Sequence, residues 1–369
     1  MLLASGALAL MGVSGVWLRA GPAGAQSAPV STSAATLPAA AKAAAATLFG
    51  EGDVVGVDQI GETRALLVLK DGKPIYERYA EGFGPDSKLI SWSMAKSFTA
   101  VLAGLMVADG KIALDEPVAV PAWRRAGDPR GNITLRHLLH MSSGLKHIEN
   151  GDPVYDSDTV RMLFGQGAGD MAAYAETQPA VAKPDEVYNY SSATSIIIAD
   201  VLTRALTDSN DPATRRQAML DFIHGRLSEP LGLTSLTPEF DAHGTFIGGS
   251  FMHATARDYA RFGEFLRNRG VANGQRLLPE SWIDFMLTSS PADKGYGGHI
   301  WLNKPRPKGS GVSLWPEQGP ADLFALLGHQ GQYVIVSPGQ RLTVVRLGIS
   351  TDEQGDAVRE ELRKLTAAL

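Results

Sequence analysis

The sequence predicts an α+β protein in which one antiparallel sheet is assembled from both ends of the chain and flanked by helices. Strand patterns lie near the two termini, and mainly helical stretches and long loops lie between them. Strands gathered from distant parts of a chain indicate a single sheet with an insertion. We place this inserted, mainly helical region at about residues 93–245.

Two hairpin patterns and one helical stripe support this prediction. Asp71-Gly72 separates two β-prone runs within residues 65–79, and Asp-Gly in that position is a strong hairpin signal. Pro338-Gly339 separates two such runs within residues 333–347. The end of the chain places four apolar residues on one helical stripe: Val358, Leu362, Leu365 and Leu369.

Composition limits the function classes. The 369 residues are 44% hydrophobic and 20% charged, which is ordinary for a globular protein. A net charge of −5 argues against a nucleic-acid partner, and the absence of cysteine excludes thiol nucleophiles and zinc–thiolate sites. His137 and His140 have a spacing that metal ligands use, but they lie in an apolar helical run, so we expect no metal and no cofactor.

The amino terminus predicts export. Residues 1–25 contain an apolar run too short to span a membrane and then Ala23-Gly24-Ala25, a small-x-small cleavage pattern. We therefore expect a signal peptide over 1–25, an Ala/Ser/Pro-rich linker over 26–47 with an alanine helix near its end, and the main domain over 48–369. We therefore expect a periplasmic or secreted protein that is not stably inserted in a membrane. The alternative is that the apolar run is retained as a membrane anchor.

The chemistry of the sequence centres on Ser93 and Lys96, which open a long apolar helical run. Their spacing places both side chains on one helix face, roughly 5–6 Å apart at Cβ. An amine beside a hydroxyl at the positive end of a helix favours a nucleophile. Spacing alone is equally typical of an N-cap serine near a surface lysine. A second Ser-x-x-Lys, at Ser143 and Lys146, contains a glycine and precedes no long buried helix, so we interpret it as coincidence.

Two further motifs supply context. Tyr190 lies at a loop-to-helix junction two residues before Ser192, and a nearby lysine cation can favour its phenolate and make it a base. A glycine-rich box, Gly328 to Gln332 with His329 inside it, directly precedes a strand that could offer an N–H to an oxyanion. Taken singly, Tyr190 is better explained as a core tyrosine with its hydroxyl satisfied, and a glycine-rich turn with a surface histidine is the alternative for the second motif.

In this order the three motifs resemble those of the serine β-lactamase and penicillin-binding protein superfamily. Within that superfamily the chain resembles the class C β-lactamase-like hydrolases, a group that includes esterases and 6-aminohexanoate-oligomer hydrolases. The resemblance runs from about residue 60 to the end. Supporting stretches are Asp71-Gly72-Lys73, residues 138–145 and residues 248–262.

The resemblance implies a β-lactamase/transpeptidase-like fold and an acyl-enzyme formed on Ser93. Lys96 and Tyr190 would share the proton transfers, and which of them is the base stays open. Ser192 matches a position usually held by a supporting asparagine, and His329 matches that of a lysine. The backbone N–H groups of Ser93 and Gln332 would form the oxyanion hole.

Ser192 and His329 depart from the superfamily's usual residues, and these two differences affect which substrate we expect. A histidine is a poor substitute for the fixed charge that holds a substrate carboxylate in lactamases and peptidoglycan peptidases, and Ser192 is shorter than asparagine. We therefore expect a small-molecule ester or simple amide as substrate. Class C β-lactamase or D-Ala-D-Ala carboxypeptidase activity is the alternative, and a penicillin-binding sensor without turnover is the alternative from another class. Three aromatic residues either line an acyl pocket or serve packing: Tyr296, Trp301 and Trp315.

Overall fold

A six-stranded antiparallel sheet forms the centre of the computed structural model, which describes residues 37–51, 57–307 and 310–369. The strands in chain order are β1 Glu62–Lys70, β2 Lys73–Tyr79, β3 Leu89–Ile90, β4 Thr237–Pro238, β5 Met252–Ala254, β6 Val271–Ala272, β7 Gln275–Arg276, β8 Trp301–Leu302, β9 Phe324–Gly328, β10 Gln332–Ser337 and β11 Leu342–Ile349. The central sheet has the order β2-β1-β11-β10-β9-β8. The first and last long strands, β1 and β11, are therefore neighbours, and the predicted sheet built from both chain ends is confirmed.

Both predicted hairpins are present. Strands β1 and β2 pair antiparallel, with Lys70 opposite Lys73. Asp71 and Gly72 between them have φ of 53° and 74°, which is the left-handed geometry of a two-residue turn that matches the twist of a hairpin. Strands β10 and β11 pair from Tyr333 opposite Arg346 to the turn that contains Pro338-Gly339.

Helices cover both faces of the sheet. They are α1 Ala39–Leu48, α2 Val57–Ile60, α3 Ala95–Ala108, α4 Leu135–Leu139, α5 Asp158–Phe164, α6 Met171–Glu176, α7 Ser192–Leu206, α8 Pro212–Ile223, α9 Glu229–Leu231, α10 Ala256–Arg267, α11 Glu280–Met286 and α12 Gly355–Ala367. Most of them lie between β3 and β5, within the region that the sequence predicts to be helical.

The alternation of side chains along β1 divides the core in two. Leu67 points into a cluster that contains α3, α7 and α10, whereas Leu66 and Val68 point into a cluster that contains α1 and α12. This period of two is the normal pleat of a strand. Because apolar side chains leave both faces of the sheet, both faces must be covered by helices.

Helix α1 is the alanine helix expected near the end of the predicted linker, and it is part of the body. Its buried face consists of Ala41, Ala44, Ala45 and Leu48. The first three of these side chains are small, which allows close packing against α12. The predicted signal peptide and residues 26–36 of the predicted linker lie outside the described residues, and no helix among the described residues is long and apolar enough to cross a membrane.

Candidate active site

Ser93 lies in a short 3₁₀ turn, Trp92–Met94, directly before the buried helix α3. The preceding residue anchors this turn, because Ser91 N donates to Met252 O at 2.8 Å and Ser91 Oγ accepts from Met252 N at 3.2 Å. Trp92 has a φ of 43°. A bulky residue in this conformation costs about 1–3 kcal/mol and persists only where its surroundings impose it. Ser93 is thus presented on a strained turn at the amino end of a helix.

The surroundings that hold Trp92 are aromatic. Its indole Nε1 donates to Gln330 Oε1 at 3.3 Å, and its ring packs edge-on against Phe251 at 5.5 Å and His329 at 5.3 Å between centroids. Phe251 in turn contacts Phe164, which is exposed at the end of α5. We call Trp92, Phe251 and Phe164 the aromatic row. It leads from the residue beside Ser93 to the surface.

Lys96 is buried and its ammonium nitrogen reaches three oxygen atoms. Nζ lies 3.0 Å from Ser93 Oγ, 2.9 Å from Ser192 Oγ and 2.7 Å from Gly249 O. Burial lowers the pKa of Lys96 to about 8, and the negative charge of Glu149 opposes that shift. A minor neutral fraction of this amine therefore exists near neutral pH, and only that form can act as a base.

Tyr190 lies over the same amine. Lys96 Nζ is 4.9 Å from the centroid of the tyrosine ring, and the Ser93 side chain lies near the phenol. Burial and the charge of Glu149 raise the pKa of Tyr190, and the nearby Ser93 side chain only partly offsets them. The phenol is therefore protonated near neutral pH.

Glu149 is the residue that sequence reasoning missed. It lies in the loop before α5 and accepts four hydrogen bonds, two of them from Ser192. Oε1 accepts from Ser192 Oγ at 2.6 Å, and Oε2 accepts from Ser192 N at 2.7 Å. Oε2 also lies 2.8 Å from both His147 Nε2 and Thr159 Oγ1. Burial acts to raise the pKa of Glu149, but His147, Lys96 and Ser192 together hold it lower, at about 2.

The glycine-rich box forms the turn between β9 and β10. Gly328 approaches the nucleophile segment so closely that an added Cβ would lie 2.3 Å from Ser91 O, which explains the glycine. His329 is exposed and meets Trp92. Gln332 is buried, and its side-chain amide bonds both ways with the backbone of Gly348, at 2.7 and 3.0 Å. The oxyanion role of the backbone N–H groups of Ser93 and Gln332 stays a prediction.

The three aromatic residues divide between the two interpretations. Tyr296 and Trp301 pack against Tyr190, with centroids 5.9 and 5.4 Å apart. Trp301 is half-buried and lines the site, whereas Tyr296 is buried and serves packing. Trp315 is buried in the cluster on the α1 side of the sheet and serves packing. Arg306 lies over Trp301 at 5.0 Å and is bonded to the buried Asp293.

The remaining candidates from the sequence lie apart from this chemistry. In the second Ser-x-x-Lys, Ser143 Oγ accepts from Leu145 N and Lys146 is exposed. His137 caps α4 by accepting from Thr134 N, and the buried His140 stacks on Phe285. Within the described ranges no group of three His, Cys, Asp or Glu side chains could hold a metal ion.

A serine, a lysine and a tyrosine that meet at the amino end of a buried helix, beside an antiparallel sheet, define a serine hydrolase of the Ser-x-x-Lys type. Comparison with known proteins agrees. The chain belongs to the Beta-lactamase family, whose model matches residues 57–368.

Individual relatives are distant. The chain is 24% identical over 296 residues to the 6-aminohexanoate-dimer hydrolase of Paenarthrobacter ureafaciens, which covers 77% of this chain and 72% of the relative. A penicillin-binding protein homologue from Caulobacter crescentus matches with a TM-score of 0.62 at 17% identity, covering 90% of this chain and 99% of its own. A family VIII carboxylesterase matches with a TM-score of 0.62 at 15% identity, covering 89% and 97%. At these identities the two structures establish the fold.

Proposed function

We propose that the protein hydrolyses esters or simple amides of small molecules through an acyl-enzyme on Ser93. The observation that carries the proposal is the contact of 3.0 Å between Lys96 Nζ and Ser93 Oγ, with the Tyr190 phenol beside it. A nucleophile, a group that can accept its proton and a group that can donate one are thus within mutual reach.

The chemistry has two stages. Ser93 Oγ attacks the carbonyl carbon and loses its proton to a neighbouring base, and the carbonyl π pair moves to the oxygen. The intermediate then collapses, the bond to the leaving alcohol or amine breaks, and the leaving group takes up a proton. In the second stage water attacks the acyl-enzyme, releases the carboxylic acid and returns the proton to Ser93.

The walls of the site support an uncharged substrate. The aromatic row offers apolar surface from Trp92 outward, and Trp301 offers another aromatic face beside Tyr190. Arg306, which stacks on Trp301, is already engaged by Asp293. His329 occupies an exposed position on the turn. A substrate carboxylate would therefore gain little from either residue.

The similarity to a 6-aminohexanoate-dimer hydrolase favours a linear amide as a second candidate substrate. We would assay the purified protein in parallel with p-nitrophenyl butyrate, the linear 6-aminohexanoate dimer and nitrocefin. The proposal expects sustained turnover of the ester or the linear amide. Rapid hydrolysis of nitrocefin alone would instead support the β-lactamase alternative. Release of one equivalent of product without further turnover would support the penicillin-binding sensor.

The nucleophile has its own test. Ser93→Ala should abolish steady turnover while the melting temperature stays close to that of the unmodified protein. The matched control is Ser143→Ala, in the second Ser-x-x-Lys, which should keep near-normal rates. A Ser93→Ala protein that still turns over the ester would contradict the assignment.

We also propose that the protein acts outside the cytoplasm, on the basis of the amino-terminal sequence pattern. Expression in a Gram-negative host, followed by fractionation and amino-terminal sequencing, tests this. A periplasmic product that begins at Gln26 is expected, and an uncleaved product in the membrane fraction would indicate the anchor.

A further inference from the structure

The hydrogen-bond pattern around Lys96 restricts where each proton can lie. A serine hydroxyl has one proton to donate, and a carboxylate can only accept. Glu149 Oε1 lies 2.6 Å from Ser192 Oγ, and three more donors surround Oε2 of the same carboxylate. Glu149 is thus held as an anion and takes the single proton of Ser192. The Ser192 oxygen therefore presents only lone pairs to Lys96.

The contact of Lys96 with Gly249 also requires the amine to donate a proton. Gly249 O is a carbonyl oxygen, so it too can only accept, and it lies 2.7 Å from Nζ. Two of the three contacts of Lys96 therefore require a proton from the amine. A neutral amine has two protons and one lone pair. With both protons committed to Ser192 and Gly249, the lone pair is left facing Ser93 Oγ at 3.0 Å.

We propose that Glu149 is a positioning residue that, through the Ser192 hydroxyl, directs the lone pair of neutral Lys96 at Ser93 and so makes Lys96 the base of acylation. This inference rests on the proposed function. In the step, the Ser93 proton moves to Lys96 Nζ, the Oγ–carbon bond forms and the carbonyl π pair moves to oxygen. Tyr190 remains a phenol and is the proton donor to the leaving group.

The groups that face Lys96 fit this assignment of charges. Tyr190 lies over the amine, and burial raises its pKa, so it brings no negative charge. His299 also lies near the amine of Lys96. Its Nδ1 is hydrogen-bonded to Leu139 O and its Nε2 to Ser195 Oγ, and burial lowers the pKa of His299 to about 3. The charge that stabilises protonated Lys96 comes from Glu149, which His147 contacts on its far side.

The principal test is Glu149→Gln, assayed with p-nitrophenyl butyrate between about pH 6 and 10. A glutamine has nearly the same shape, but its NH₂ group donates to Ser192, whose own proton then turns to the lone pair of Lys96. We expect the plateau of kcat/KM to fall by about 100-fold, the scale of general-base catalysis, mainly through kcat.

The pH profile separates this role from a structural one. In the unmodified protein kcat/KM rises with pH as Lys96 loses its proton, around its pKa of about 8. Because the Glu149 charge raises that pKa, its removal should move the rising limb to lower pH. A disturbance of packing alone would lower the plateau and leave the limb in place, and that result would overturn the proposal.

A double variant provides the sharpest discrimination. In Glu149→Gln/Ser192→Ala the misdirected hydroxyl is gone, so the double variant should be at least about fivefold faster than Glu149→Gln alone, a coupling that adjacent groups in one network can show. Losses that multiply as if the two sites were independent would overturn the inference.

Two controls complete the design. Glu176→Gln removes another buried carboxylate, one that pairs with Arg204, and it should leave the limb where it is. Ser93→Ala distinguishes the two levels of failure. If Ser93→Ala is inactive but Glu149→Gln keeps the normal plateau, the inference fails and the proposed function stands. If Ser93→Ala remains active, the proposed function fails as well.

Discussion

We expect single side chains of the aromatic row to affect which substrates are hydrolysed. Phe251 connects Trp92, beside the nucleophile, to the exposed Phe164, with centroids 5.5 and 5.8 Å away. An acyl chain that leaves Ser93 along this row would bury methylene groups against these rings. Each buried methylene contributes about 0.8 kcal/mol, so chain length should determine how much of the row is used.

We therefore expect Phe251→Ala to reduce kcat/KM for p-nitrophenyl octanoate by about tenfold, a loss of about 1.4 kcal/mol, and to change that for the acetate ester by less than about threefold. The measurement is kcat/KM for the two esters. Phe240→Ala is the control, because Phe240 is a similarly half-buried ring that packs on Phe246. If both variants affect the two esters alike, the row does not bind the acyl chain.

At the residue scale, the sequence could predict a contact where the two residues are close together in the chain. Ser93 and Lys96 are three residues apart across a 3₁₀ turn that runs directly into α3, so their contact follows from local helical geometry. Glu149 lies in an irregular loop, and its partner Ser192 is 43 positions further along the chain. Nothing in the local pattern distinguishes this glutamate from an exposed loop acid, so only the folded chain reveals it.

At the element scale, helix α3 must fit closely because it carries Lys96 in its first turn and directly follows the turn that presents Ser93. An added Cβ at Gly104 would lie 2.4 Å from Trp282 Nε1, the indole nitrogen that donates to Ala100 O in the same helix. The absence of a side chain at Gly104 therefore allows this indole to bond to the backbone of the helix.

Gly104→Ala should therefore destabilise the protein by about 1–2 kcal/mol. Overpacking costs about 1–3 kcal/mol, and the better helix propensity of alanine returns at most about 1 kcal/mol. Urea unfolding followed by circular dichroism measures the change. Gly225→Ala is the matched control, because nothing lies within 4 Å of its added Cβ in a helical segment. That variant should be neutral or slightly more stable, and equal losses in both variants would contradict the packing argument.

The elements that the sequence predicted well have short-range signals. Asp71-Gly72 determines a turn whose two strands are adjacent in the chain. Val358, Leu362 and Leu365 of the predicted stripe are buried on α12, whereas Leu369 lies beyond the end of that helix at Ala367. The site lacks such a signal for Tyr296 and Trp301, because their contacts with Tyr190 depend on where β8 and the loop before it lie in the folded chain. Trp315 is an aromatic residue in the same part of the sequence as Tyr296 and Trp301. The sequence alone could therefore not show that Trp315 packs in the core and does not line the site.

At the scale of the whole molecule, the central sheet separates the residues of the candidate active site from the apolar cluster around α1 and α12. Helix α3 and the residues after Ser93 belong to the cluster on one face, and α1 and α12 belong to the cluster on the other. Damage on the α1 side should therefore lower the free energy of unfolding without altering the catalytic groups of the folded protein.

Two substitutions on α1 test this separation. Ala45 is 1% exposed and faces the sheet side of the helix, whereas Ala43 is exposed on the same helix. Ala45→Glu places a carboxylate in an apolar cluster, which should cost about 3 kcal/mol or more, and Ala43→Glu should cost less than about 0.5 kcal/mol. Thermal unfolding gives the stabilities, and kcat per folded molecule, measured well below each melting temperature, gives the chemistry. We expect kcat of the folded Ala45→Glu protein to stay within about twofold of the unmodified protein, because no catalytic group changes its neighbours. A proportional loss of kcat at full folding would mean that the two faces of the sheet are energetically coupled and that α1 helps to hold Ser93 in place.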